Sequence, residues 1–497
     1  MNNLAQYLTT LWNLDSSARA VEFGDKSYTW AQMRDIAGRV DALLTAQGLG
    51  KGTPVGALLR NRPPMVAAIL GLLATERCIV SINPYYKPEA LASEVAALNV
   101  SALMADQSDW TPEITRAAGA QGTVGISLSD SGAALVPGAD KKGAGPHREL
   151  PEGIALEILT SGTTGKPKRL RAKFSALADA VLPAPDKAGN RPAPALRGGA
   201  AIVAAPVVHL SGIFGMLHSF CEGRTVVLLE KFNVLEWANA VERHKIKFAS
   251  VPPTAMRMVL DANVPKSKLA SLVAVRSGTA PLPPETQQRF QDTYGVPVLL
   301  QYSATEWLGG IAGWTIEEFR KYMPAKLGST GRAHPGVKLR VVDPASFKEL
   351  PANEVGLLEV LPSRRFGPDA EWNRTTDLAR IDEDGFLYIL GRSDDVIIRG
   401  GFKVSLPAVA EVVNQHPAVK DAAVLPIADA RLGEVPVCAV ELHEGAKVPP
   451  LAELEQFCRE RLLPYQVPVQ FKIVDALPRT VSLKVDRPAT RALFTAA

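Results

Sequence analysis

Nine consecutive residues carry the clearest potential for chemistry: Thr160-Ser161-Gly162-Thr163-Thr164-Gly165-Lys166-Pro167-Lys168, directly after the apolar run Ile154 to Leu159. Glycines let backbone N–H groups converge on an oxyanion, hydroxyls add donors, and two lysines can meet phosphate charge. The run is not the common nucleotide loop ending Gly-Lys-Ser/Thr. Thr160 stands where that loop needs glycine, and Pro167 follows Lys166. Taken alone, such a stretch is more often a surface turn. Its weight comes from the residues around it.

The elements that must position this loop alternate in type. Short β-branched runs (AAIVAAPVV, TVVLLE, KFASVPP) alternate with helical patterns through most of the chain, which predicts an α/β fold. Residues 129–149 and 183–199 are rich in Gly, Pro, Ala and charge and read as loops. Past Gly391 come a compact strand, a helical stretch, two apolar runs and a further helix, about enough for a small α+β domain. The expected organisation is a large N-terminal α/β domain over 1–391, a hinge at 392–396, and a small α+β domain over 397–497, although composition alone marks no boundary near Gly391. No internal repeat interrupts it.

Composition excludes several functions. Of 497 residues, 55 are basic and 51 acidic, a net charge of +4 with the basic residues scattered, so no nucleic-acid footprint is present. Cys78, Cys221, Cys438 and Cys458 lie far apart with no CxxC pair, which predicts free thiols in a reducing compartment. The N-terminus lacks a basic start followed by a continuous apolar stretch, and Ala200 to Leu217 is broken by Pro206, His209 and Ser211. No signal peptide or membrane span is expected, and the protein reads as soluble and cytoplasmic, a monomer or homodimer.

Six segments, in order, resemble the motifs of the adenylate-forming superfamily: acyl-CoA synthetases, adenylation domains of peptide synthetases, and luciferases. The nonapeptide resembles its phosphate loop. Gln301-Tyr302-Ser303-Ala304-Thr305-Glu306 is similar to YGxTE, and Gly328-Ser329-Thr330-Gly331-Arg332 with Pro335-Gly336 to GSxGxPxPG. Arg374-Thr375-Thr376-Asp377 resembles RTGD, Tyr388 to Asp395 resembles YxxGRxDD, and Pro478 to Lys484 resembles PRTxSGK. SINPYYKPEAL (81–91) extends the likeness towards the N-terminus.

The resemblance implies ATP, Mg²⁺ and coenzyme A as cofactors and a small-molecule carboxylic acid as substrate, and it assigns roles. Thr160, Ser161, Gly162, Thr163, Thr164 and Lys168 would hold phosphates. Gly278, Thr279 and Ala280 would line the nucleotide edge beside Gln301 and Ser303, with Tyr302 stacked on adenine. Thr305 would meet the α-phosphate and Glu306 would hold Mg²⁺, with Thr164 as a further ligand; carboxylate and hydroxyl oxygens suit a hard cation shared with substrate phosphates. Asp377 would take the ribose hydroxyls, with Ile389 and Arg392 beside it. Lys484 would be the catalytic lysine, a mobile point charge reaching the carboxylate and α-phosphate. After adenylation the small domain would rotate about Asp394, withdraw Lys484, and bring Gly400 and Gly401 to a pantetheine tunnel.

Departures from the pattern are few. Arg169 replaces the Gly after the phosphate-loop lysine, the following THxN-like stretch reads AKFSA, and Thr376 and Leu483 stand where the motifs have Gly. The segment from Leu361 to Asn373 is shorter than in the family. The acyl pocket is expected from Ala205–Met216, Ser250–Met258, Ser277-Gly278 and Ser303–Gly309, with His209 as its gate. Around it stand apolar residues, and the glycines Gly212, Gly215, Gly309 and Gly310 suggest room for a bulky hydrophobic acid: aryl, alicyclic, terpenoid or medium-chain. No Asp near His209 offers to hold an ammonium, so an amino acid is not expected. The competing readings are a ligase that loads an acyl carrier protein, a luciferase-like oxygenase, and a degenerate relative that binds nucleotide or acyl ligand without turnover.

Overall fold

The computed structural model describes residues 3–160, 168–186, 189–362, 371–480 and 482–495. By contacts the chain forms two compact units, one ending at Gly328 and the other beginning at Ser329. That division precedes the 392–396 segment expected as a hinge. Residues 338–392 pair with one another as an antiparallel sheet and fall with the C-terminal residues in that division.

The first unit is built on three sheets of mixed strands. The largest has seven. Its middle strands Pro54–Leu58, Cys78–Ile82 and Ala102–Asp106 are parallel and buried along their whole length, which is why they are mostly apolar. The helix Pro63–Ala74 starts on two prolines, which suit a first turn whose N–H groups have no helical partner. It packs so closely on the helix Trp30–Ala46 that a Cβ at Gly71 would sit 2.9 Å from that of Ala37. Strand Ile154–Thr160 joins this sheet parallel to Cys78–Ile82, and Lys168–Lys173 returns antiparallel beside it at the sheet's edge. Thr160 and Lys168 end these two paired strands, and the rest of the expected phosphate loop, residues 161–167, lies outside the described residues.

A second sheet runs Ala200–Val203, Thr225–Leu228, Arg19–Phe23, Lys26–Thr29. A third sets Phe248–Ser250, Ala274–Ser277 and Val298–Ala304 parallel, with Gly309–Gly313 antiparallel to the last.

The second unit holds two sheets. Lys338–Val342, Gly356–Leu361, Asn373–Ile381 and Leu387–Arg392 form an antiparallel meander. Phe402–Ser405, Val396–Arg399, Gly433–Leu442 and Val419–Asp429 form the other, with Gln470–Val474 added parallel. Helices Leu406–Asn414 and Leu451–Arg459 cover it over a core that includes Val404, Val409, Val424, Cys438 and Leu454. All four cysteines are buried free thiols; burial pushes Cys78 up to about 12, so these groups serve packing. No described helix is long and apolar enough to cross a membrane.

Candidate active site

In the first unit the third sheet gathers most of the expected residues at one edge. Strands Ala274–Ser277 and Val298–Ala304 run parallel, so their C-terminal ends lie side by side. Open α/β sheets bind ligands at such edges. Gly278, Thr279 and Ala280 leave the first strand there; Gln301, Tyr302 and Ser303 close the second. A Cβ on Gly278 would meet the Gln301 carbonyl oxygen at 3.0 Å, so the glycine permits the two segments to touch. Thr279 follows at φ +72°, a conformation rarely taken by a β-branched side chain and one that clusters at functional sites. Thr305, Glu306 and Trp307 form a single 3₁₀ turn at the strand's end. Glu306 is exposed and Trp307 buried, its ring 6.2 Å from that of Tyr302.

Among the described residues no group of three or more His, Cys, Asp or Glu side chains gathers to cage a metal. The donor set at this edge, one solvated carboxylate with neighbouring hydroxyl residues, fits Mg²⁺ held partly by substrate phosphates.

His209 is the N-cap residue of the helix Leu210–Cys221, and that helix packs on the strand Gly309–Gly313 that follows Glu306. A residue that sequence reasoning missed sets its position. Asn61, 1% exposed, donates from Nδ2 to the carbonyls of Ala205 (3.1 Å) and Leu229 (2.9 Å) and accepts from the Val207 N–H (2.7 Å). Its amide thus braces the chain just before His209. Nothing near Asn61 in sequence marks it, because its partners lie more than 140 residues away. Gly212 also changes meaning: a Cβ there would fall 2.1 Å from the Pro206 carbonyl oxygen. Its small size serves chain packing, whereas Gly215 has open space around its Cα.

The second unit positions the remaining residues. Asp377 and Arg392 are register partners on strands Asn373–Ile381 and Leu387–Arg392, and Ile389 pairs with Ala379. Arg374, inside the same motif, turns away to a structural task. Its Nε and Nη2 lie 2.9 and 2.8 Å from Glu359 Oε1, while Arg340 brackets Oε2 at 2.8 and 2.7 Å. Glu359 is 2% exposed. Burial alone would raise its carboxyl; hydrogen bonds from Arg340 and Arg374 outweigh that and hold it below the usual glutamate range. Thr375 Oγ1 donates to the Leu358 carbonyl and accepts from the Asp377 N–H, fixing the backbone at Asp377. Thr376, where the motif has Gly, accepts from Arg392 Nη2. Arg392 also grips Asp394 through two parallel bonds, 2.7 and 2.9 Å.

Lys484 sits on a tight turn. Its carbonyl accepts from the Thr480 N–H at 2.8 Å, and the Leu483 N–H donates to the Thr480 carbonyl at 2.9 Å. Val485 packs with Leu493 and Phe494 on Ala423, Ala439 and Leu477. Lys484 keeps an exposed flank. Crowding by protein and then the like charge of Arg392 lower its ammonium below the ordinary lysine range. Gly400 and Gly401 form the two-residue link between paired strands Val396–Arg399 and Phe402–Ser405, both at positive φ (+56° and +89°). That is the pattern of a I′ hairpin, which favours glycine at both positions.

Of the loop residues, Thr160 and Lys168 close the strand ladder as partners; Ser161, Gly162, Thr163 and Thr164 lie outside the described residues.

With this geometry in place, comparison with known proteins is specific. A family model described as AMP-binding enzyme matches residues 12–360, and one described as AMP-binding enzyme C-terminal domain matches residues 408–484. A putative acyl–CoA ligase, YdaB, of Bacillus subtilis (strain 168) is 29% identical over 496 residues, covering 95% of each chain. The 2-succinylbenzoate–CoA ligase of the same organism is 26% identical over 483 residues, covering 94% of this chain and 93% of its own. The crystal structure of ATP-bound MatB from Rhodopseudomonas palustris superposes with a TM-score of 0.79 at 24% identity over 99% of both chains.

Two measurements check the local physics. Glu359→Gln leaves two partly solvated guanidiniums without their shared anion, a loss on the scale of about 1–3 kcal/mol for charge-assisted hydrogen bonds. Because the folded carboxyl is held low, its stabilisation is complete above the unfolded glutamate value and disappears as pH falls through the folded one. The gap in unfolding free energy between wild type and variant should therefore be full at pH 7 and shrink in acid; a gap independent of pH would contradict the assignment. For Lys484, the ammonium is the form that can meet phosphate. With Lys484 in the role the motif resemblance gives it, adenylation should fall on the alkaline side at a pH below the ordinary lysine value, and Arg392→Gln should move that limb upward; an unmoved limb would remove Arg392 as a cause.

Proposed function

The chain belongs to the AMP-binding enzyme family, and we propose that within it this protein is an AMP-forming acid–CoA ligase. The observation that carries this reading is the pair of family models in order on one chain, together with Lys484, Glu306, Asp377 and Arg392 all retained at their motif positions. The two Bacillus subtilis relatives, which it matches over about 95% of its length, are named as CoA ligases.

In the first half-reaction a carboxylate oxygen of the acid attacks the α-phosphorus of ATP. A P–O bond forms, the bond to pyrophosphate breaks, and acyl-AMP remains. Negative charge gathers on the phosphate oxygens, so fixed donors and cations must already be in place. Thr305 and Lys484 meet the α-phosphate, Tyr302 and Gly278-Thr279-Ala280 hold the base, and Asp377 accepts from the ribose hydroxyls. Glu306, aided by Thr164, would hold Mg²⁺, which neutralises charge on the departing pyrophosphate. In the second half-reaction the CoA sulfur attacks the acyl carbon, the C–O bond to AMP breaks, and the thiol proton is lost to solvent. Lys484 serves the first step and the Gly400-Gly401 hairpin the second, exchanged by movement about 392–396.

The acid is hydrophobic: aryl, alicyclic, terpenoid or medium-chain. The apolar segment after His209, and Trp307 with its ring 6.2 Å from that of Tyr302, support such an acid over a short polar one.

Pyrophosphate release from ATP across a panel of carboxylic acids, with and without CoA, tests the activity. Acid-dependent release with a thioester mass only in the presence of CoA is expected. Release with no thioester at any acid would transfer the acyl group to another acceptor, and silence across the panel would overturn the reading. Lys484→Ala should lower adenylation by at least ~100-fold, within the range of lost transition-state charge stabilisation, yet spare thioester formation from supplied acyl-adenylate. Equal loss in both half-reactions would refute the division of labour. Glu306→Gln should raise the Mg²⁺ concentration needed for half-maximal rate, and an unchanged requirement would remove Glu306 from the metal.

A further inference from the structure

We propose that Arg169, the residue that replaces a motif glycine, is a positioning residue that straps the base of the phosphate loop to the sheet; this rests on the proposed function, in which residues 160–168 receive ATP phosphates. Arg169 lies on the edge strand Lys168–Lys173, one residue past Lys168 and opposite Leu159. An edge strand is held on one side only. The Arg169 guanidinium supplies a second attachment by crossing the neighbouring strand. Nη1 donates to the Ser81 carbonyl at 3.1 Å, in the strand Cys78–Ile82, and Nη2 pairs with Glu94 on the helix Pro88–Leu98. Ser81 holds the other limb as well, since its Oγ accepts from the Leu159 N–H at 3.1 Å. One buried serine thus binds both strands immediately below the Thr160–Lys168 pair.

The strap is set in a buried charge cluster. Glu157, fully buried, is 2.8 Å from Arg148 Nη2 and 2.9 Å from Arg171 Nε, with Arg169 Nη1 at 3.8 Å. Arg169 itself is 18% exposed. With Glu94 paired and Glu157 near, its charge is already answered inside the protein. A guanidinium so committed orients the strand ends and leaves the phosphates to the loop. A glycine at 169 would make none of these bonds.

The test separates positioning from direct phosphate binding. MgATP dissociation constants are measured by calorimetry, without acid, for wild type, Arg169→Gly, Arg169→Lys and Glu94→Gln, alongside KM for ATP, kcat, and thioester formation from supplied acyl-adenylate. Positioning predicts that Arg169→Gly weakens MgATP roughly tenfold, the scale of one lost charge-assisted hydrogen bond. KM for ATP should rise with it, while the thioester half-reaction stays within about twofold by the same reckoning. Glu94→Gln should weaken MgATP in the same direction, because it releases the strap, and Arg169→Lys should recover part of the loss. If Glu94→Gln leaves MgATP unchanged or tightens it while Arg169→Gly weakens it, Arg169 touches phosphate directly and the proposal fails. Unchanged binding in Arg169→Gly, or equal loss in both half-reactions, also overturns it. Wild-type binding of MgATP without acid-dependent pyrophosphate release would defeat the ligase reading alone, since the calorimetric comparison requires no turnover.

Discussion

Negative charge that develops on a phosphate oxygen is stabilised best by groups already in place, and the proposed nucleotide edge of the first unit answers that constraint. Parallel strands deliver such groups cheaply, because their backbone hydrogen bonds are consumed within the sheet and their C-terminal ends all finish at one edge. Ser277 and Leu300 are register partners, so the next few residues of each strand necessarily emerge together. The Gly278–Thr279 backbone and the Gln301–Glu306 segment are neighbours for that reason. The conformation forced on Thr279 is a local cost that the surrounding sheet sustains.

Buried carboxylates bracketed by arginines recur beside the motifs. Glu157 lies on the strand that ends at Thr160, and Glu359 pairs with the strand that carries Asp377, each with two or more guanidiniums. An apolar substitute would often be as stabilising as such a cluster. What the charged version adds is direction: planar forks fix two strands at one relative setting. In both places the strands so fixed lead directly to residues of the proposed nucleotide site.

How much of this could be read beforehand depended on distance along the chain. The α/β character, the apolar run that leads into the expected phosphate loop and the individual motifs were legible because each is a pattern of near neighbours. The tasks of Asn61, Glu359 and Ser81 were not, since each is defined by partners on other elements, 144 residues away for the Asn61–Ala205 bond. Gly212 was misread for the same reason: a glycine in an apolar pocket segment suggests room, and only the fold reveals the Pro206 carbonyl against it. Arg374 belongs to a nucleotide motif, yet its charge is spent on Glu359. The expected hinge at 392–396 came from the run of elements past Gly391 and from the family resemblance, whereas contacts divide the chain at Gly328.

The two lost glycines of the second unit show how a motif can change residue without losing its geometry. Thr376 gives up backbone freedom and gains a hydroxyl that accepts from Arg392, whose guanidinium also holds Asp394. Leu483 keeps the left-handed backbone that glycine takes at little cost, at φ +63°, and a left-handed L-residue costs roughly 1–2 kcal/mol. The turn is held against that cost by the Leu483 N–H on the Thr480 carbonyl, by the Thr480 N–H on the Lys484 carbonyl, and by Arg479 Nη1 on the Leu483 carbonyl at 3.2 Å. Arg479 is in turn ion-paired to Asp421. The strain thus falls on the residue next to Lys484, and the bonds that sustain it fix the backbone from which the lysine projects.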